Sequence, residues 1–276
     1  MNGIPCGICP HRCVLDEGQT GLCGARSNHG GVIRCDNYGL VTSLSLDPIE
    51  KKPLRRFFPG SFILSAGSYG CNMFCPFCQN YDISRASRMS VSYSTISPNE
   101  LISKAIALIP RGNIGVAFTY NEPLIGYEYV YDCSVLAKKN DLKTVLVTNG
   151  FVNEEPLLAL LPYIDAMNID LKTFSESVYK KLGGGLEDVK RTIVLSAPKC
   201  HVEVTTLAVP GMNDTDEEMK QISEWLAGIN RDIPLHISRF FPRYKMLDRP
   251  ATDPNSVYHL ADIAGKALHY VYTGNC

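Results

Sequence analysis

Gly70-Cys71-Asn72-Met73-Phe74-Cys75-Pro76-Phe77-Cys78-Gln79-Asn80 follows an apolar, strand-like run, Phe62-Ile63-Leu64-Ser65-Ala66. Three cysteines spaced C-x3-C-x2-C fall within eight residues. A [4Fe-4S] cube has four iron corners and is ordinarily held by four cysteines, so Cys71, Cys75 and Cys78 would leave one iron open to chemistry. Zinc or merely buried thiols are the weaker assignment, because structural zinc closes on four ligands.

The surrounding chain sets the context for that loop. With 276 residues, 45% of them apolar, and a net charge of −1, it is long enough for one large domain or one domain with a small appendage. Balanced charge argues against nucleic acid or a membrane surface as partner. No apolar stretch approaches the ~20 residues of a membrane span. The start, Met1-Asn2-Gly3-Ile4-Pro5-Cys6, lacks the basic and apolar regions of a signal peptide. A cytoplasmic location is therefore expected, and in that compartment eleven cysteines read as metal ligands before disulfides.

Upstream lies a second set, Cys6-x2-Cys9-x3-Cys13 and then Cys23. Four thiolates at short spacing suit either zinc or an auxiliary iron–sulfur cluster, and their number does not choose between the two. His11 reads as a neighbour of that site, since four cysteines suffice. Val32 to Cys35 and Leu40 to Leu46, separated by Asp36-Asn37-Tyr38-Gly39, read as a hairpin. Cys35, Cys133 and Cys200 each stand alone in apolar segments and read as packing residues. Asp47 to Gly60, rich in Pro and basic residues, reads as a connecting loop that could also face an electron donor or an acidic substrate.

Downstream the pattern turns regular. Ser97-Pro98-Asn99-Glu100 carries the signs of a helix start, with a capping Ser, Pro at the first helical position and Glu three residues after the cap. Apolar strands at Ile114–Tyr120, Thr144–Val147, Ala166–Leu171, His201–Val209 and Pro234–Phe241 then alternate with helical stretches, and His269–Tyr272 closes the chain. Such alternation predicts a parallel sheet, because each crossover must return over it. With the strand before the cysteine loop, the reading is α/β: a partial (β/α)6 barrel over 61–276 and a Cys-rich extension over 1–60. An open doubly wound sheet competes, but no Gly-rich dinucleotide fingerprint follows any strand.

Parallel barrels place their sites at the carboxyl ends of the strands. Tyr120-Asn121-Glu122, Thr148-Asn149, Asp170-Leu171-Lys172, Val209-Pro210-Gly211-Met212-Asn213-Asp214 and the run from Arg239 to Tyr244 occupy those ends. One polar residue there is ordinary loop chemistry. Five ends in succession suggest a rim that binds a cofactor.

The cysteine spacing, with Phe77 immediately before the last Cys, resembles the signature of the radical S-adenosylmethionine superfamily. The order of the later motifs resembles the activating enzymes of glycyl-radical enzymes, typified by the pyruvate formate-lyase activase. Within that group, Cys6-Gly7-Ile8-Cys9-Pro10-His11-Arg12-Cys13, Asp47-Pro48-Ile49-Glu50-Lys51-Lys52-Pro53, Cys78-Gln79-Asn80, Thr119 to Pro123 and Ser238 to Pro242 are most similar to the AmmeMemoRadiSam branch. The resemblance covers nearly the whole chain. It implies a [4Fe-4S] cluster on Cys71, Cys75 and Cys78, with S-adenosylmethionine on the open iron and Phe77 beside the adenine. Asn121 and Glu122 would meet its amino group, Thr148 and Asn149 its ribose or carboxylate, and Lys172 its carboxylate. Val209 to Gly211 would pass close to the adenine, and Asp170 belongs to the same rim.

Flavodoxin or ferredoxin is the implied electron donor, and a glycyl-radical or other protein the implied substrate, with Arg239, Arg243 and Tyr244 on the substrate side. Tyr120-Asn121 replaces the family's Gly-Gly, Val147 its cation-binding Asp, and Arg243-Tyr244 its late His. Two other functions are carried forward: radical modification of a small molecule or peptide with help from the N-terminal metal site, and an iron–sulfur carrier without turnover.

Overall fold

The computed structural model describes residues 3–276. Eight strands form one sheet: β1 (Ser43–Pro48), β2 (Phe62–Gly67), β3 (Asn113–Phe118), β4 (Lys143–Thr148), β5 (Ala166–Asp170), β6 (His201–Ala208), β7 (Leu235–Arg239) and β8 (Val271–Gly274). Each strand neighbours its predecessor in the chain. β1 runs antiparallel to β2, and every other pairing is parallel. The connections carry α1 (Pro98–Ala107), α2 (Tyr127–Lys139), α3 (Glu154–Leu160), α4 (Glu176–Lys181), α5 (Leu186–Ser196), α6 (Asp216–Ile229) and α7 (Pro254–Ala264). Six strand–helix units therefore run from β2 to β7, and β8 adds a seventh parallel strand. The fold is the α/β partial barrel that the alternation predicts.

Local chemistry explains the helix starts. Ser97 Oγ accepts the Glu100 N–H at 3.3 Å while the Glu100 carboxylate accepts the Ser97 N–H at 2.7 Å, so two otherwise unpaired donors are satisfied reciprocally. Thr215 Oγ1 accepts the Glu218 N–H at the start of α6, without the reciprocal bond, and Asp216, Glu217 and Glu218 complement its positive end.

The sheet is hydrophobic on both faces. Val116, Leu146, Met167, Val204 and Ile237 belong to the large core that the helices share. On the opposite face, Ile63, Ala117, Val145 and Ala166 pack against Ile49, Leu54 and Phe57 from the loop between β1 and β2. That loop is a floor under the barrel. Its main-chain N–H groups at Arg55 and Arg56 donate to the Glu203 carboxylate of β6 at 3.0 and 2.7 Å, and Asn168 of β5 donates to Pro53 O at 2.9 Å. Lys52 is buried against Asp47 at 2.9 Å. The exposed Lys51, Arg55 and Arg56 lie at the amino ends of the strands, away from the edge that carries Cys71.

One local expectation is corrected. Val32–Cys35 pairs with Arg26–His29, not with the run from Leu40 to Leu46. Gly30 and Gly31, with φ of 65° and 75°, form the two-residue turn whose twist suits a tight hairpin. Leu40–Val41 meets Ser94–Thr95 instead, and Ser43–Pro48 becomes β1, so the sheet begins inside the stretch read as the extension.

Candidate active site

The cysteine loop leaves the carboxyl end of β2 and is held by main-chain bonds from distant elements. Cys71 N–H donates to Cys23 O at 3.1 Å, Phe74 N–H to Leu182 O at 2.7 Å, and Lys245 N–H to Pro76 O at 2.9 Å. Gly70 sits at φ 88°, where an added Cβ would lie 2.5 Å from Cys23 O, so the close approach requires glycine. Arg85 donates to the carbonyls of Cys71 and Met73, both at 3.3 Å, and lies over the Phe74 ring.

The three thiols suit a metal cluster in their chemistry. Cys71 Sγ accepts from Met73 N–H at 3.4 Å and from Asn149 Nδ2 at 3.6 Å, donors of the kind that stabilise ligating sulfur. Burial, reinforced by the Glu122 charge, pushes the Cys71 thiol up. Burial likewise raises Cys75 to about 11, with the nearby Lys172 charge opposing it. Thiols held neutral in this way would exchange protons for metal on binding. Among the described residues, no three His, Cys, Asp or Glu side chains gather at the spacing of a single-ion centre. A cluster spreads its ligands over several irons and does not need that spacing.

Around these thiols stands the polar rim. Glu122 is fully buried and accepts from Thr148 Oγ1 at 2.7 Å, Asn149 N–H at 2.8 Å and Leu124 N–H at 3.0 Å. Burial still pushes its carboxyl up to about 7, against those donors. The Asn149 side chain then bridges Cys71 and Asn72, whose own amide donates to Phe151 O at 2.7 Å. Glu122, Thr148, Asn149 and the cysteine loop thus form one connected network. Asn121 spends its side chain on the loop's approach, accepting from Ser68 N–H and donating to Tyr69 O and Gly70 O.

Across the mouth, Lys172 Nζ donates to Asp170 at 2.8 Å, and the Tyr179 hydroxyl accepts the Lys172 N–H at 3.0 Å. Val209 is buried, its N–H donating to Asn213 Oδ1 at 2.7 Å, while Gly211 is exposed at φ 71°. Phe77 is buried within the core beside the loop.

On the outer side, Arg239 donates to Thr252 O at 2.6 Å and lies over Phe241, Arg243 is exposed, and Tyr244 stacks on Tyr81 with ring centroids 4.7 Å apart. The bulk of Tyr120 does not crowd the rim. Its φ of 74° sends the hydroxyl down to Asp47 at 2.6 Å, while its carbonyl accepts from Asn80 of the cysteine loop.

Asn72, Asn213 and Tyr179 tie the strand ends together; the sequence gives Asn213 a place at a strand end but no role, and no role to the other two. Asn213 alone joins Val209 N, Lys172 O and Leu207 O. A polar residue between two ligand cysteines was the one available signal for Asn72. The N-terminal cysteines Cys6, Cys9, Cys13 and Cys23 wall a common cavity with Arg26 and Ile125. His11 of that segment bonds Asn72 O at 2.9 Å and meets the Phe151 ring edge-on.

Comparison with known proteins places this geometry. An uncharacterized protein of Methanocaldococcus jannaschii is 40% identical over 99% of this chain and 82% of its own length. The pyruvate formate-lyase 1-activating enzyme of Escherichia coli K12 is 26% identical over 56% of this chain and 65% of its own. A solved domain of the pyruvate-formate lyase-activating enzyme of Bacteroides vulgatus superposes with a TM-score of 0.52 at 18% identity, covering 58% of this chain and 99% of that domain. The family model for the radical SAM superfamily matches residues 66–226, more than half of the chain and the whole span from the end of β2 to α6. A three-cysteine loop at the mouth of a partial barrel, matched at this extent, means that the chain belongs to the radical SAM superfamily.

Proposed function

We propose that Cys71, Cys75 and Cys78 hold a [4Fe-4S] cluster and that the protein is an activase-like enzyme, taking a hydrogen atom from a glycine of a partner protein. When bound, the cluster supplies the electron that cleaves S-adenosylmethionine to methionine and a 5′-deoxyadenosyl radical. The observation that carries the reading is the link from Glu122 through Asn149 to Cys71, which places an anion-bearing rim directly on the three-thiol loop.

The residues divide the work of binding. Glu122 uses three of roughly four carboxylate acceptor directions on the protein, leaving one for an ammonium hydrogen. Lys172 spends one donor on Asp170 and keeps others for a carboxylate. Asn121 and Asn213 fix the loops that carry these groups, and the buried Phe77 and Val209 keep water from one flank. Thr148 orients Glu122 from below. Gly211 permits close approach of main chain to a ligand.

Flavodoxin or ferredoxin would deliver the electron. Arg239, Arg243 and Tyr244, on the outer side of the mouth, would meet the partner. The Cys-rich extension over 1–60, which also lends β1 and the floor to the sheet, and the barrel over 61–276 are the two proposed parts, and the cytoplasm is the proposed location. No helix among the described residues is long and apolar enough to cross a membrane.

The test is anaerobic reconstitution with iron and sulfide, addition of S-adenosylmethionine and dithionite, and quantification of 5′-deoxyadenosine. Formation by the wild type and not by Cys75→Ala is the expected result. A fully loaded wild type that neither binds nor cleaves S-adenosylmethionine would instead support an iron–sulfur carrier.

A further inference from the structure

We infer that Cys6, Cys9, Cys13 and Cys23 hold a second iron–sulfur cluster, in preference to zinc, and that it passes single electrons to the centre at Cys71. The relay rests on the assignment of Cys71, Cys75 and Cys78 above; the metal assignment does not.

Three observations point the same way. The first is room. A zinc ion draws four sulfurs to about 2.3 Å from one point and fills the space between them. Here the four cysteines, with Leu15, Arg26 and Ile125, stand round a cavity of about 10 Å³ that the side chains leave open. A larger inorganic core spreads its ligands in this way.

The second is an unpaired donor. Arg26 is 4% exposed and lines that cavity. Its two terminal nitrogens are engaged by Glu128 at 2.7 and 2.6 Å and by Ile125 O at 2.9 Å, but its Nε–H has no partner. A buried donor left without an acceptor is destabilising. A sulfide or thiolate in the cavity supplies the acceptor, and hydrogen bonds to cluster sulfur tune reduction potential.

The third is contact. Cys71 N–H donates to Cys23 O at 3.1 Å, so a ligand residue of one centre touches a ligand residue of the other through one hydrogen bond. His11 Nε2 adds a second link, to Asn72 O at 2.9 Å. A purely structural zinc knot has no need to meet the loop at its ligand.

The step balances simply. A low-potential donor protein loses one electron, the N-terminal centre gains and then loses it, and the Cys71 centre gains it; no bond forms and no proton moves.

The experiment compares three anaerobically reconstituted proteins: the wild type, a Cys71→Ser/Cys75→Ser/Cys78→Ser variant, and a Cys9→Ser/Cys23→Ser variant. Ferrous iron, sulfide and zinc are all supplied, and metals, sulfide and low-temperature EPR spectra are read. About eight irons in the wild type and about four in each variant is the expected result. The triple variant should show a reduced-cluster signal unchanged by S-adenosylmethionine, and Arg26→Gln should shift the reduction potential of that signal alone. Four irons and one zinc in the wild type, with zinc and no iron in the triple variant, would overturn the assignment. The wild type needs no altered residue, so misfolding of a variant does not blunt the test.

Iron in the triple variant but none in the Cys9→Ser/Cys23→Ser variant would support the second cluster while overturning the Cys71 assignment. For the relay, reduced flavodoxin should reduce the Cys71 centre at least tenfold more slowly in the Cys9→Ser/Cys23→Ser variant, with dithionite equally fast in both. Equal rates with flavodoxin would overturn the relay.

Discussion

Two buried glutamates stand at opposite ends of the same sheet, and their surroundings push them in opposite directions. Glu203, at the floor, is opposed by burial but accepts from His201, His236 and the main chain of Arg55 and Arg56, and is lowered to about 2. Glu122, at the mouth, accepts three hydrogen bonds where Glu203 accepts four, and burial raises it to about 7. The difference lies in the partners. Glu203 accepts from two imidazoles and two main-chain N–H groups, whereas Glu122 is opposed by burial and by the nearby Asp170 charge and has three donors to offset them. The floor carboxylate has its donors within the chain, while the mouth carboxyl keeps an acceptor direction that the proposed cofactor's ammonium group would use. On that proposal, one end serves stability and the other a ligand.

The largest effect should come at the floor. Glu203→Ala leaves two main-chain donors and two imidazoles without their acceptor, and should cost about 3–5 kcal/mol in urea unfolding. A loss below about 1 kcal/mol would break the contrast. Acid should show the same group with a definite sign. Because the folded value of Glu203 lies below the ordinary 4.5, its contribution is present above about pH 4.5 and lost as pH falls towards about 2. That amounts to roughly 3 kcal/mol, and Glu203→Gln should remove this part of the pH dependence.

At the mouth the expectation reverses. Glu122→Gln should weaken S-adenosylmethionine binding at least tenfold, about 1.4 kcal/mol, yet change stability by less than about 1 kcal/mol, because it removes a buried charge along with its hydrogen bonds. Calorimetry on the iron-loaded protein reads the first quantity and thermal unfolding the second. The smallest effect, about 1 kcal/mol, is expected from Ser97→Ala at the start of α1, distant from both ends, with iron content unchanged.

Local pattern carried most of the fold. The C-x3-C-x2-C loop, the alternation of strands and helices and the Ser97 cap each depend on residues a few positions apart, and each was readable. Pairing over longer distances was not. Val32–Cys35 reads as the partner of the run ahead, but the two-glycine turn behind it pairs it with Arg26–His29. Nothing near Ile49, Leu54 and Phe57 announces that they close a barrel, since the strands they cover come later. Asn72 finds Phe151 O across 79 positions, and a lone asparagine gives no sign of such a partner. Rim residues are readable as a set from their places at strand ends. That Asn121 and Asn213 spend their side chains on fixing loops shows only in the hydrogen bonds.

The strictly sequential order of the strands also governs how the molecule is made. Each strand emerging from the ribosome finds its partner already in place, so the sheet can lengthen in one direction without waiting for distant segments. The floor is the exception. Arg55 and Arg56 are synthesised early, but the carboxylate that receives their N–H groups arrives 148 and 147 positions later. The floor's apolar side chains can settle on β2 to β5 as these emerge, but its polar anchor is therefore among the last contacts of the barrel to close.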